Sequence, residues 1–493
     1  MEVDASQLVG AAWSHARLLP WHWLAPVAHM ALATFAAVHA MLYKRDSRAA
    51  LGWVAVCLLF PFLGPLFYYM FGINRIKTQA HKLASRYLFS LEVGYERGTR
   101  GGEPSAAGHA LDAPLQRFVN ISDRVTSRAL TAGNSVDMLR NGEQAYPAML
   151  AAIEAAAQRI FLMTYLFEAD AVGEAFVAAL VAARQRGVDV QVIVDGVGEL
   201  YSWPRMSRKL RRAGVSVARF LPPRLLPPSL SVNLRNHRKV LVVDGKHGFT
   251  GGMNIGARHL VESASGRATA DLHFRVRGAV VTQLEDVFIE DWRFITGERL
   301  TVGAIAPPTA AATYCRCISD GPNEDLDKIS LVLTGAISAA QQEILILTPY
   351  FLPSREMIAS LQSAALRGVA VTVILPRRSN LPFVDWATRN LLWELLQHGV
   401  TVCYQPPPFA HTKVFVVDGI YAQVGSANMD PRSLRLNFEL NLEVIGAASV
   451  AQLVDYARQC RRESRQISLQ EIDGRGLVTR LRDAACWLFL PYL

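Results

Sequence analysis

A chain of 493 residues holds about three ordinary domains, or two and a membrane anchor. The 51 Lys and Arg against 42 Asp and Glu give a net charge of +9, which favours anionic partners: nucleic acid, phosphates or anionic lipid. The six cysteines (Cys57, Cys315, Cys317, Cys403, Cys460 and Cys486) lack paired CxxC spacing, which speaks against a thiolate metal site and fits a reducing compartment for the globular part.

Hydrophobic residues make up 51% of the chain, with a mean hydropathy of +0.17, and the excess lies near the N-terminus. After an extension over residues 1–22, two apolar segments run from about Trp23 to Tyr43 and from about Ala50 to Gly72. Each is about 20 residues, the length that crosses ~30 Å of hydrocarbon. Trp21, Trp23, Tyr68 and Tyr69 suit an interfacial aromatic belt. A cleaved signal peptide is excluded by Glu2 and Asp4, by the late start of the apolar run and by the second run that follows at once. Residues 23–72 therefore read as a transmembrane helical hairpin, making the chain multi-pass and integral to the membrane. Its tight loop carries Lys44, Arg45 and Arg48, and a basic juxtamembrane linker (73–110) carries Arg75, Lys77, Lys82 and Arg86. The longer basic run and the thiols favour a cytoplasmic catalytic part.

The rest alternates strands and helices, and it does so twice. Gln158 to Tyr165 is answered by Gln342 to Pro349, Arg186-Gly187-Val188 by Arg367-Gly368-Val369, and Leu210 to Val217 by Leu395 to Val402. Each unit is an apolar strand, an Ala-rich helix and another β-branched strand, the grammar of a sheet covered by helices. The expectation is an α/β fold of two homologous halves, 111–300 and 301–493, each a mixed sheet flanked by helices and packed about a pseudo-twofold axis.

The halves disagree in one place. Gly214 to His237 spans 23 residues but Gly399 to His411 only 12, so the first half carries an 11-residue insertion around Pro222–Leu230. This Pro-rich loop either covers a pocket, dips into a bilayer or is a plain surface loop. Arg205, Arg208, Lys209, Arg211 and Arg212 form a basic helix, open to anionic headgroups or simply solvated. The C-terminal run from Cys486 to Leu493 either lies in the membrane interface or packs on the domain.

The repeat carries chemistry. His237-x-Lys239 is followed by Asp244 and by Gly251-Gly252-Met253-Asn254; His411-x-Lys413 is followed by Asp418 and by Gly425-Ser426-Ala427-Asn428, in identical register. His and Lys at i and i+2 emerge on one face of a strand. Two such half-sites give one pocket two histidines and two lysines, with Asn254 and Asn428 as further donors. Asp271 and Glu439 each stand seven residues before a glycine, Gly278 and Gly446, and each is expected to bond the far nitrogen of its own half's histidine. The inventory suits phosphodiester cleavage: one histidine attacks phosphorus, the other protonates the leaving oxygen, and the lysines hold the phosphate without a metal.

The doubled His-x-Lys-(four)-Asp-(six)-Gly-Gly/Ser pattern resembles the phospholipase D superfamily. Within it, the chain looks like the bacterial cardiolipin synthases, on Phe60-Pro61 through Gly64-Pro65 to Gly72, on Thr348–Pro353, on Asn236–Lys239 with Gly251–Asn254, and on Val424–Glu439. The resemblance implies that two phosphatidylglycerols give cardiolipin and glycerol through a phosphatidyl-enzyme, with no cofactor, in the bacterial inner membrane among anionic lipids. It implies the site residues His237, Lys239, Asp244, His411, Lys413 and Asp418, with Asn254, Asn428, Asp271 and Glu439 in support. By analogy His237 is the nucleophile and His411 the acid/base; the residues alone do not rank the two. The rivals are a membrane phospholipase D that hydrolyses, a phosphodiesterase nuclease, and a non-catalytic membrane scaffold, against which the intact duplicate motifs stand. Against the nuclease stand the hairpin and the lack of basic stretches interleaved with aromatics, so no nucleic-acid partner is expected.

Overall fold

The computed structural model describes residues 21–44, 47–72, 113–126, 128–223, 234–263, 268–300, 309, 313–321 and 327–489. The linker 73–110, most of the N-terminal extension, nearly all of the Pro-rich insertion and the last four residues lie outside that set. The chain forms two compact units, Met1–Thr78 and Gln79–Leu493.

In the first unit, Trp21–Tyr43 is one helix, and its Leu24–Tyr43 stretch is long and apolar enough to cross a membrane. The second apolar segment departs from expectation. It forms a 13-residue helix, Ser47–Leu59, then breaks and resumes as Leu63–Phe67 and a π turn, Tyr68–Gly72. The break has a cause: Pro61 lacks an amide hydrogen and Phe62 sits in left-handed backbone at φ 58°. The Phe62 amide donates to His29 Nδ1 at 3.3 Å, and His39 Nδ1 meets the Tyr68 hydroxyl at 2.7 Å. Polar groups on the first helix thus satisfy groups on the broken segment.

In the second unit, the first half supplies β1 (Thr131–Arg140), β2 (Arg159–Thr164), β3 (Asp189–Asp195), β4 (Ser216–Phe220), β5 (Val240–Val243), β6 (His247–Gly251), β7 (Thr269–Ala270) and β8 (Leu272–Arg277). The second half supplies β9 (Thr313–Asp320), β10 (Glu343–Leu347), β11 (Ala370–Pro376), β12 (Thr401–Gln405), β13 (Phe409–Ala410), β14 (Val414–Val417), β15 (Tyr421–Gly425), β16 (Glu439–Ile445) and β17 (Arg465–Gln466). One 15-stranded sheet runs β17-β12-β11-β10-β14-β15-β16-β9-β1-β8-β6-β5-β2-β3-β4. The halves therefore share one sheet instead of holding one each, because β1 pairs antiparallel with β8 on one side and with β9 on the other. Outward from that join, apart from β17, both arms pass through equivalent strands in the same order.

Strand alternation sorts side chains between cores. Phe161, Met163, Val240, Val242, Leu345, Leu347, Val414 and Val416 enter a core common to both halves, under the helices Val280–Thr296 and Ala447–Glu463. Ile160, Leu162, Leu241 and Val243 face a core private to the first half; Ile344, Ile346, Phe415 and Val417 face a third core, built from the second half together with Phe118, Val119 and Leu130. In the common core Phe161 stacks on Phe288 at 4.7 Å, and each such buried ring contributes about 1.5–3 kcal/mol.

Candidate active site

The segments that lead into β5 and β14 carry the two motif histidines, and each is held by backbone of the opposite half. The His237 amide donates to the Phe438 carbonyl at 2.9 Å, and the Phe438 amide to the Arg235 carbonyl at 2.8 Å. In the mirror arrangement β13 pairs with β7, and the His411 amide donates to the Ala270 carbonyl at 2.7 Å. The next residues in these partner segments are Glu439 and Asp271. His237 Nδ1 consequently lies 3.3 Å from Glu439 Oε1, and His411 Nδ1 lies 2.8 Å from Asp271 Oδ2. The carboxylates were expected to serve the histidines of their own halves; they serve each other's, because the cross-half backbone pairing sets the neighbour.

All six groups share one buried electrostatic environment. Burial, with Lys239 and Arg235, pulls His237 down to about 4 against the upward pull of Glu439. Burial and the charges of Lys413, Lys239 and His237 hold His411 well below its ordinary value. Burial lowers Lys239 to about 8 and Lys413 to about 7, against the pull of Asp271 and Glu439. The carboxylates diverge. Burial raises Asp271, whereas His237, Lys239 and Ser426 outweigh burial and hold Glu439 below the usual carboxylate range. At neutral pH both imidazoles are therefore neutral beside at least one cation and one firmly ionised carboxylate.

Glu439 is fixed by a shell that the sequence reading did not single out. Ser426 Oγ donates to Oε2 at 2.5 Å, Ser433 Oγ to Oε1 at 2.6 Å, and Asn437 Nδ2 to Oε1 at 3.1 Å. Asn437 Nδ2 also lies 3.3 Å from His237 Nδ1. The only available signal was the family-like string Val424–Glu439, which contains all three. On the Asp271 side, Gly252 replaces Ser426, and a Cβ there would lie 2.5 Å from both carboxylate oxygens. Buried His259 and His273 complete that side. Burial pulls them to about 3 and about 4, and both feel the Asp271 charge.

Two motif residues stay out of the pocket. Asp244 ends β5 in a left-handed turn (φ 52°) and accepts the amides of Ala157, Gln158 and Arg159 at 2.8–2.9 Å. Asp418 (φ 52°) does the same for Gln341, Gln342 and Glu343, and Arg117 Nη2 reaches it at 2.7 Å. A strand rises about 3.3 Å per residue, so each aspartate lies the length of its strand from its histidine. They pin β5 and β14 to the starts of β2 and β10. Asn254 is likewise occupied: its Oδ1 accepts the Leu166 amide at 3.1 Å. Asn428 Oδ1 and His237 Nε2, by contrast, are buried without a hydrogen-bond partner among the described residues.

The residue between His237 and Lys239 has a role of its own. Arg238 is fully buried, donates to Asp291 Oδ1 at 2.8 Å, and reaches the Glu439 and Asp320 carbonyls of the second half at 3.1 and 3.2 Å. It clamps the halves directly behind the site.

Residues 149–292 and 333–461 match the family model described as cardiolipin synthase, PLD-like domain, and residues 31–72 match the phospholipase D-nuclease N-terminal model. The chain is 31% identical over 464 residues to a cardiolipin synthase of Geobacillus kaustophilus, covering 93% of this chain and 92% of the relative. It is 30% identical to the major cardiolipin synthase ClsA of Bacillus subtilis, covering 91% and 95%. Cardiolipin synthase A of Pseudomonas aeruginosa is 32% identical, covering 88% and 91%. Among solved structures, the phosphatidylserine synthase of Haemophilus influenzae shares the fold at a TM-score of 0.57 and 14% identity, over 78% of this chain and all of that one. Duplicated motifs, a continuous two-armed sheet and relatives that match nearly end to end place this chain in the bacterial cardiolipin synthase family of the phospholipase D superfamily.

Proposed function

We propose that the protein is a cardiolipin synthase that joins two phosphatidylglycerols without a metal, through a phosphohistidine on His237. The observation that carries this reading is the pair of crossed histidine–carboxylate contacts in one pocket with two lysines. Glu439 accepts a hydrogen bond from the Nδ1–H of His237, which fixes that tautomer and leaves the Nε2 lone pair free toward the pocket. Nε2 attacks the phosphorus of one lipid, forming a P–N bond as the bond to the glycerol oxygen breaks. His411 gives that oxygen its proton. The glycerol hydroxyl of the second lipid then passes its proton to His411 and attacks phosphorus, breaking the P–N bond and leaving cardiolipin.

His411 is neutral in the empty pocket, and the arriving phosphate anion supplies the negative charge that draws a proton onto it. Lys239 and Lys413 stabilise the non-bridging oxygens in the transition state. The divergence of the carboxylates supports these roles: ionised Glu439 suits the histidine that must become a cationic phosphoimidazole, and Asp271, raised by burial, suits the one that trades protons. Asn428, whose Oδ1 stands bare, is the better placed of the two asparagines for a substrate hydroxyl.

In this reading the matched strand order of the two arms reflects a pseudo-twofold axis through the β1–β9 join. Residues 1–22 are an extension, 23–72 an anchor whose broken second segment completes a hairpin in the bacterial inner membrane, 73–110 a basic linker, and 111–300 and 301–493 the catalytic halves, facing the cytoplasm. The free thiols support that side.

The test is the full chain in vesicles of labelled phosphatidylglycerol. Cardiolipin and glycerol in equal amounts are expected, and phosphatidic acid as the sole product overturns the reading. His237→Ala should abolish the phosphatidyl-enzyme; if His411→Ala does so and His237→Ala does not, the two roles are exchanged.

A further inference from the structure

Resting on that reading, we infer that Arg235 and Arg432, one from each half, hold the phosphodiester of the acceptor lipid in a second anion subsite beside the reacting phosphorus. The reaction itself demands two anion positions. The attacking hydroxyl belongs to a glycerol that carries its own phosphate, so a second negative charge must sit one glycerol away from the phosphorus at His237. Lys239 and Lys413 stand at the first position.

Arg235 and Arg432 stand where the second is needed. The Tyr165 ring lies 4.4 Å from the His237 ring, and Arg235 Nη1 donates to the Tyr165 hydroxyl at 3.0 Å. The guanidinium is thus offset from the nucleophile by the length of a tyrosine ring. Arg432 is tied to the same strip of backbone: its carbonyl accepts the Asn437 amide at 3.0 Å, and the next amide, Phe438, donates to the Arg235 carbonyl at 2.8 Å. Burial together with the Arg235 charge holds Arg432 below the usual arginine value. Bringing two half-buried guanidiniums together costs free energy, which Asp430 offsets in part and a bound anion would offset further. Tyr201, 66% exposed, shows that this side of the pocket reaches the surface.

The duplication supplies an internal control. Two residues before His411 stands Phe409, and the counterpart of Tyr165 is Pro349, so the fold does not require Arg235 or Tyr165 at these places. There Phe409 and Tyr350 form an apolar wall, with ring centroids 5.9 and 6.3 Å from His411. Arg432 also has a counterpart, Arg258, which pairs with Glu168; at the place of Glu168 the second half has Leu352. The two mouths of the site therefore differ: Arg235 and Tyr165 stand beside His237, where Phe409 and Tyr350 stand beside His411, so donor and acceptor lipids can be held by different contacts.

The experiment compares acceptors of different charge, using the full chain in mixed micelles of phosphatidylglycerol. Labelled free glycerol exchanging into phosphatidylglycerol uses the donor position and a neutral acceptor; glycerol 3-phosphate is a soluble anionic acceptor; cardiolipin formation uses the lipid anion. For Arg235→Gln and Arg432→Gln we expect cardiolipin formation to fall about tenfold or more relative to glycerol exchange in the same variant, the loss of one charge-assisted contact. Transfer to glycerol 3-phosphate should fall with cardiolipin if the phosphate charge is what is read; if it holds steady while cardiolipin falls, the subsite reads lipid and not phosphate, which overturns the assignment. Parallel loss of exchange and synthesis, or loss of neither, also overturns it. Arg235→Phe, the residue of the other half, must give the same split, so a folding failure of the Gln variant cannot hide the answer. Absence of cardiolipin from the unaltered chain defeats the synthase reading itself; cardiolipin from it with parallel losses in the variants defeats only the subsite.

Discussion

Burial brings Lys239 to about 8 and Lys413 to about 7, so both cations of the pocket titrate close to neutrality. Their pKa values are lowered, so both are fully charged only well below 7, Lys413 is half charged at about 7, and the charge is lost as the pH rises through 7 to 8. kcat/KM for phosphatidylglycerol should therefore decline on the alkaline side, by about tenfold per unit once Lys413 is deprotonated. Lys413→Arg keeps its charge throughout, so its residual activity should lose the lower part of the alkaline limb and begin to fall only near 8, with Lys239; an unchanged limb would assign the titration to another group. The histidines, lysines and two carboxylates of this pocket are legible from register alone. Which carboxylate meets which histidine is not, since spacing along the chain measures nothing about the pairing of Asn236 with Phe438 or of β13 with β7. Ser433, Asn437 and His259 escape for the same reason: they become neighbours only through those contacts.

At the level of strands, the motif aspartates act on architecture. Asp244 gathers three amides at the start of β2 while occupying left-handed backbone, a conformation asparagine tolerates and alanine does not. Asp244→Ala should cost about 2–4 kcal/mol of stability by thermal or denaturant unfolding, and Asp244→Asn less. Folded Asp244→Asn should still form the phosphatidyl-enzyme at His237; a folded variant with no adduct would return the residue to the chemistry. A similar distinction applies to the second apolar segment. Its composition correctly marks an apolar element, but hydropathy averages over Pro61 and Phe62 and so does not register the break that His29 covers. The apolar βαβ repeats, where every local preference agrees with the sheet, are read correctly to within a few residues.

On the scale of the whole chain, the membrane-compatible unit and the catalytic unit each hold a core of their own. A protein reduced to residues 73–493 should fold and convert monomeric short-chain phosphatidylglycerol at a rate near that of the full chain, while losing most activity on vesicles. Loss of both activities in a folded protein would mean that the first 72 residues serve the chemistry as well as the location. What the repeats did not disclose is that the halves share one sheet: sequence similarity reports equivalence between copies, but the β1–β9 join is a contact that exists only once.

The crossed contacts bear on how such a chain can change over time. Gene duplication ordinarily leaves one copy spare, free to drift while the other keeps the task. Here the histidine of each copy depends on an acid held by its sibling, and the acids are not interchangeable, since Gly252 makes room for Asp271 where Ser426 reaches for Glu439. In the proposed mechanism a lesion in either copy disables both. Neither copy is redundant, and selection acts on them as a single inherited unit.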